Sequence, residues 1–331
     1  MTRLACLIAP LGLMAAPIFA NNVEPLVPIE AVTQGSIAPD FANPLTQVLD
    51  LDQDRRRRMT IPVTIAGQGP FDFLIDTGSQ ATAVTHQINR DLNLPPLGRA
   101  QLVGMASIRP VDVVEVNDLV VGDHTIHNIS APVLNRLHLG ADGIIGLDSL
   151  QDFRVLVDFR KETIALEDTT TKFSRQGFEI IVSARQKLNQ LLITDAMVDG
   201  VRATVIIDTG AQASLGNKAL QRKIRARREA EVVTMDVNGV TLPSDLAYVR
   251  TLDIEGLELN NIPLTFADAP AFEALGLKDK PVLSLGMEHL KLFDRVAIDF
   301  RERRIAFDIP RDVAKAMKRV NLDSYADTRI R

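Results

Sequence analysis

The sequence predicts an all-β protein with minor helix, built from two related units. Two observations carry this. From Thr60 onward the chain consists of short β-type runs broken by turn residues. The same blocks also occur twice in the same order. Asp76-Thr77-Gly78 returns as Asp208-Thr209-Gly210, an offset of 132. Ile145-Gly146-Leu147-Asp148-Ser149-Leu150 aligns with Leu285-Gly286-Met287-Glu288-His289-Leu290 at an offset of 140. Arg154 to Arg160 aligns with Arg295 to Arg301 at 141, and Ile164-Ala165 with Ile305-Ala306 at the same offset. Three blocks at nearly constant offsets describe a duplicated unit of about 110 residues.

Taken in order, the first 20 residues carry one charge, Arg3, before an apolar stretch from Leu4 to Ala20. Ala15, Ala16 and Ala20 are small enough for a signal peptidase, so residues 1–20 are expected to be a secretory signal. Pro10 and Pro17 interrupt the stretch, which is short for a bilayer span, so no stable membrane insertion is expected after cleavage. The expected location is bacterial, either periplasmic or secreted. Residues 21–58 hold Pro25, Pro28, Pro39 and Pro44, lack periodicity and end in four arginines, which reads as an extended leader.

The first lobe is expected over 59–167. Thr60–Ala66 and Phe71–Ile75 form a hairpin split at Gly67-Gln68-Gly69-Pro70. After a linker at 168–177, the second lobe spans 178–310. There Gln190–Val198 and Ala203–Ile207 are split around Asp199-Gly200, a pair that tolerates the positive φ of a tight hairpin turn. Both hairpins feed directly into an Asp-Thr-Gly triplet. Helices are expected at Thr85–Leu94, Leu147–Phe153, Asn217–Arg228 and Met287–Phe293. The tail 311–331 places Val313, Ala316, Met317 and Val320 at helical spacing.

Composition narrows the chemistry. Apolar residues make up 46% and charged residues 24%, the balance of a globular chain with a core. A net charge of −5 offers no basic excess for nucleic acid. The one cysteine, Cys6, lies in the signal, so disulfides, thiolate metal sites and thiol catalysis are excluded from the mature chain. No His-Glu-x-x-His pattern or nucleophile elbow occurs. His124 and His127 are three apart, which puts them on opposite faces of a strand, so no metal site is expected. No cofactor is expected beyond a catalytic water.

Two carboxylates at equivalent points of a duplicated unit can meet at a pseudo-twofold axis. Close together, Asp76 and Asp208 cannot both ionise and so share one proton. One can take a proton from water while the other gives one to a carbonyl oxygen. The residues around them suit this task. Gly78 and Gly210 let the backbone turn sharply and present an amide to the carboxylate. The hydroxyls of Thr77 and Thr209 can bond across to the opposite loop. Asp158 and Asp299 recur before Phe-Arg and read as structural partners of arginine.

On these residues the chain resembles the pepsin and retropepsin superfamily of aspartic proteases. Phe73 to Ser79 and Val205 to Ala211 match its active-site signature, and Ile144-Ile145-Gly146 and Ser284-Leu285-Gly286 match its second mark, with Ser284 in place of an apolar residue. Each Asp loop runs almost directly into a helix, which is similar to the retropepsin side. The resemblance covers about residues 59–310. It implies a bilobal fold of two related β-barrel-like lobes with the active site between them. It also implies an aspartic endopeptidase taking an extended polypeptide, with both lobes on one chain so that dimerisation is not required. A peptide-binding module that kept the fold and lost turnover is the alternative; a precursor covered by its leader is a third reading.

Two departures from the family pattern bear on mechanism. Pepsin-like enzymes place a hydroxyl after the triplet to bond the catalytic carboxylate. Ser79 offers one to Asp76, whereas Ala211 offers none to Asp208. The shared proton is therefore expected on Asp208, with a working pH above pepsin's. Pepsins also close a flap tyrosine over substrate, but Tyr248 and Tyr325 both lie outside the first lobe. The flap candidates are Gly104, Met105 and Ala106 in the hairpin Val103–Ser107, with a counterpart near Asp236–Gly239.

Overall fold

The computed structural model describes residues 60–168, 178 and 180–310, with two short strands, Cys6–Ile8 and Met14–Ala16. The rest of the expected signal, the leader 21–58, linker residues 169–177 and the tail 311–331 lie outside the described residues. The two short strands pair with Gln101–Val103 and Val233–Met235.

The strand leading to each Asp has the same neighbours in both lobes. Gln68–Ile75 pairs antiparallel with Thr60–Ile65 and parallel with Gly143–Ile145. Val201–Ile207 pairs antiparallel with Gln190–Val198 and parallel with Val282–Leu285. Both inner strands are apolar on both faces at their ends: Phe73, Leu74 and Ile75, like Val205, Ile206 and Ile207, are all buried. That is the pattern of a strand covered on both sides.

Turn chemistry sets the hairpins. Asp199 and Gly200 both adopt positive φ, +46° and +75°, as the sequence led one to expect. In the first lobe the turn falls earlier than expected, at Ala66-Gly67 with φ of +50° and +75°. Gln68, Gly69 and Pro70 belong to the following strand. Gly69 is at φ +132°, and a Cβ there would lie 2.8 Å from the Val63 carbonyl, where the register shifts.

The helices form where expected but are shorter. The first covers His86–Leu92, capped by the Thr85 hydroxyl and ended by Asn93 at φ +49°. Its counterpart covers Lys218–Ile224. The Asn217 side chain accepts from Leu220 N–H at 2.8 Å, and Arg225 ends the helix at φ +55°. Short helices Leu147–Leu150 and Met287–Leu290 follow the two later glycines.

A five-stranded sheet joins the lobes. Phe153–Asp158 of the first lobe pairs antiparallel with Arg295–Asp299 of the second. This register sets Arg154 opposite Asp299 and Asp158 opposite Arg295. Arg154 sends Nε and Nη2 to Asp299 Oδ2 at 3.0 and 2.8 Å, and both residues are buried. Arg295 instead binds Asp308 at 2.6 Å, while Asp158 Oδ1 accepts the Lys161 N–H at 3.0 Å. The main apolar cluster runs through this sheet, from Ile61 and Ile75 by way of Val155 and Val296 to Val205 and Ile207. The lobes therefore share one core, which holds the two Asp loops at a fixed separation.

Candidate active site

The two triplets meet between the lobes. Each Asp leaves its strand with its N–H bonded to the parallel neighbour: Asp76 N–H to the Ile145 carbonyl and Asp208 N–H to the Leu285 carbonyl, both 3.0 Å. Each chain then turns back over its own carboxylate. Gly78 and Ser79 N–H groups donate to Asp76 Oδ1 at 2.8 and 3.0 Å. Gly210 and Ala211 N–H groups donate to Asp208 Oδ1 at 3.1 and 3.0 Å. Ser79 and Ala211 thus support the loops through backbone rather than side chain.

The threonines lock the loops together. Thr77 Oγ1 donates to the Ile207 carbonyl at 2.8 Å and accepts from Thr209 N–H at 3.2 Å. Thr209 Oγ1 donates to the Ile75 carbonyl at 2.7 Å and accepts from Thr77 N–H at 3.1 Å. All of these groups are buried, so each bond excludes a costly unpaired polar atom.

Glycine is required at both triplets because the opposite carboxylate occupies the space of a side chain. A Cβ on Gly78 would lie 2.6 Å from the Asp208 carboxyl carbon, and one on Gly210 would lie 2.1 Å from that of Asp76. Asp76 and Asp208 are 1% and 0% exposed, so each carboxylate is buried against the opposing loop. Burial pushes the Asp208 carboxyl well above the ordinary carboxylate range, and the nearby charge of Asp76 pushes it further. The pair therefore holds a proton at a pH where free aspartates are ionised.

One expectation is corrected. The Ser79 hydroxyl does not serve Asp76; it donates to the Ala81 carbonyl at 2.9 Å. Asp208 does receive a hydroxyl, from Ser284, which donates to its Oδ2 at 2.9 Å. Ser284 sits on the parallel strand Val282–Leu285, opposite Ile206 in register. The cue was in the sequence: a serine where the other repeat has Ile144. The Ser284 bond lowers the Asp208 pKa, but less than burial raises it. The hydroxyl thus serves the carboxylate opposite to the one expected.

Other supporting residues were not singled out from the sequence, although Thr82 and Ser214 share the 132 offset of the catalytic loops and Asp148 and Glu288 lie in the aligned later blocks. Buried Gln190 donates from Nε2 to the Thr77 carbonyl at 2.7 Å. Behind each loop a hydroxyl pins the later glycine. Thr82 Oγ1 accepts from Gly146 N–H at 3.1 Å and donates to Asp148 at 2.6 Å. Ser214 Oγ accepts from Gly286 N–H at 2.9 Å and bonds His289 Nδ1 at 2.7 Å. Ser214 N–H donates to Glu288 at 2.8 Å. Burial raises Glu288 to about 7 and lowers His289 to about 4. Gly146 and Gly286 themselves allow close threading, since a Cβ at either would come within 2.5 Å of the Ala81 or Ala213 carbonyl.

The flap candidates are not a free surface hairpin. Pro96–Val103 and Ile108–Val116 form the arms, and Met105 at the tip is fully buried. The counterpart tip, Asp236 to Val240, joins Ala230–Met235 to Thr241–Ile254. The two tips touch: Ala106 N–H and the Ser107 hydroxyl both donate to Asp236 Oδ2. Among the described residues, no group of three or more His, Cys, Asp or Glu is placed to hold a metal ion.

No curated protein matches the sequence. Among solved structures, a retropepsin-like aspartic protease from Rickettsia conorii is 21% identical, covering 39% of this chain and 89% of its own, with a TM-score of 0.28. The aspartyl protease family model matches residues 61–149 and again 194–289, one segment per lobe and together more than half of the chain. Each matched segment contains one Asp-Thr-Gly loop and its later glycine, and on this match the chain belongs to the aspartyl protease family.

Proposed function

We propose that the chain is an aspartic endopeptidase in which Asp76 and Asp208 activate one water. The observation that supports this most is the reciprocal geometry: each carboxylate lies against the opposite loop's glycine, and both are buried. The Asp76 carboxylate takes a proton from the water, which attacks a peptide carbonyl. Asp208, kept protonated by burial, gives its proton to the carbonyl oxygen. The backbone donors to each Oδ1 orient the carboxylates, and the threonine lock fixes their spacing. The substrate is an extended polypeptide bound between the lobes, and no cofactor takes part. One chain supplies both lobes, so the site forms without dimerisation. The apolar N-terminal segment supports export to the periplasm or exterior of a bacterium.

The test is cleavage of a denatured protein library by residues 21–331. Asp76→Asn and Asp208→Asn should each reduce turnover by at least 10³-fold while the fold persists, since either change removes the acid–base pair. Cleavage by both variants at the parental rate would refute the assignment. Tight binding of peptides without turnover by the parent would favour the binding-module reading instead.

A further inference from the structure

The 132-residue offset that relates the catalytic loops also relates the flap tips. It maps Gly104 onto Asp236, Met105 onto Val237, Ala106 onto Asn238 and Ser107 onto Gly239. The equivalent positions are chemically complementary. Asp236 is 1% exposed and is aimed by its own turn, with Asn238 and Val240 N–H groups donating to Oδ1 at 3.0 Å. Its Oδ2 crosses to the other flap, taking the Ser107 hydroxyl at 2.7 Å and Ala106 N–H at 3.2 Å. Asn238 Nδ2 donates to the same Ser107 oxygen at 3.0 Å. Gly104 makes room: a Cβ there would lie 2.5 Å from Asp236 Oδ2. Two identical flaps related by an exact twofold could not offer a glycine and an aspartate at the same position.

Beneath this contact each tip is buried in the opposite lobe. Met105 packs in a cluster with Leu192, Ile206, Leu215 and Phe272 of the second lobe. Val237 packs in one with Leu74, Ala83, Leu134 and Ile144 of the first. Leu74 and Ile206 lie two residues before Asp76 and Asp208, on the same strand face as the carboxylates. The flap tips therefore fill apolar space beside the dyad that a bound polypeptide would need.

We propose that Asp236 is the latch of a two-flap gate: its contact with Ala106 and Ser107 holds the tips in the cleft, and a polypeptide enters when that contact breaks. Asp236 thereby sets the opening equilibrium and not the chemistry, which makes it a positioning residue. The inference rests on the cleft being the substrate site.

The experiment is amide hydrogen exchange on the full chain, alongside the association rate of a statine-containing peptide inhibitor. Two variants act from opposite flaps. Asp236→Ala removes the acceptor, and Gly104→Ala leaves the carboxylate but forces the tips apart. In both, exchange at Ala106 should rise on the order of tenfold or more, as expected for losing a hydrogen bond to a charged group. Amides of the distal helix His86–Leu92 should keep their protection, which shows that the variants fold. Inhibitor association should accelerate in the same direction. Unchanged exchange at Ala106 in Gly104→Ala overturns the latch, even if Asp236→Ala disturbs its own turn. Faster exchange with no inhibitor binding to parent or variant keeps the latch and removes the peptidase reading. Inhibitor binding with unchanged exchange does the reverse.

Discussion

Replacing Ser284 with alanine removes one hydroxyl from Asp208 and leaves its backbone donors in place. The bond is 2.9 Å long, and donor and acceptor are 1% and 0% exposed, so no solvent screens it. A hydrogen bond to a charged group contributes about 1.5–3 kcal/mol, and 1.36 kcal/mol corresponds to one pKa unit. The bond favours the ionised form of Asp208, so losing it favours the protonated form. In the pH dependence of kcat/KM, loss of the dyad's proton sets the alkaline limb. Ser284→Ala should therefore move that limb upward by about 1–2 pH units, while the acid limb moves less. The limbs belong to the coupled pair, so the measured quantity is their separation, which should widen. Cleavage of a labelled unfolded protein across pH reads it, and a carboxyl-carbon NMR titration reads the same proton without turnover. Ser79→Ala is the contrast, since its hydroxyl serves the Ala81 carbonyl; it should shift the alkaline limb less than Ser284→Ala does. An alkaline limb that stays put or moves acidward in Ser284→Ala would refute the reasoning.

Four further outcomes are expected. Thr209→Val keeps the shape but strands the Ile75 carbonyl and Thr77 N–H, so urea unfolding should show a loss of about 2–4 kcal/mol with the m-value unchanged. Asp299→Ala takes away the carboxylate that receives both Nε and Nη2 of the buried Arg154 guanidinium, at a cost of about 3–5 kcal/mol by the same measurement. Glu288 and His289 give opposing pH dependences of stability. Glu288 is raised to about 7, so its contribution is present below pH 4.5 and is lost as pH rises to about 7. His289 is lowered to about 4, so its contribution is present above pH 6.5 and is lost as pH falls to about 4. Between pH 4.5 and 6.5 these two slopes oppose each other and cancel. Relative to the parent, Glu288→Gln should expose the histidine, making the slope of stability more positive by up to about 1.4 kcal/mol per pH unit across that window. The Glu288 side chain keeps 27% of its exposure, which makes that slope an upper bound. A Glu288→Gln profile parallel to the parent's would contradict this. Finally, Gly210→Ala drives a methyl into the Asp76 carboxyl and should eliminate cleavage at any pH, as read by the same labelled-substrate assay.

The local and repeated parts of this protein were legible in its sequence. Turn residues and β-type runs predicted the hairpins, because backbone φ preference is a local property, as at Asp199-Gly200. The duplication placed Asp76 and Asp208 at equivalent points, and that alone implied that they meet. Helices were expected directly after the Asp loops and begin there, capped by Thr85 and Asn217, while helix ends were overestimated, since Asn93 and Arg225 stop the helices in left-handed conformations that the apolar pattern does not register. The tertiary structure decided which side chains complete the site. The hydroxyl on Asp208 comes from Ser284, 76 residues away, rather than from the position after the triplet. Asp236 reaches Ser107 across 129 residues, and Met105 packs into the lobe to which it does not belong. Such contacts leave no periodicity along the chain, because they are set by how two lobes dock and not by how any segment folds. The sequence placed two carboxylates at equivalent points of a repeat; docking decided which side chains bond to them and which hairpin tips meet across the lobes.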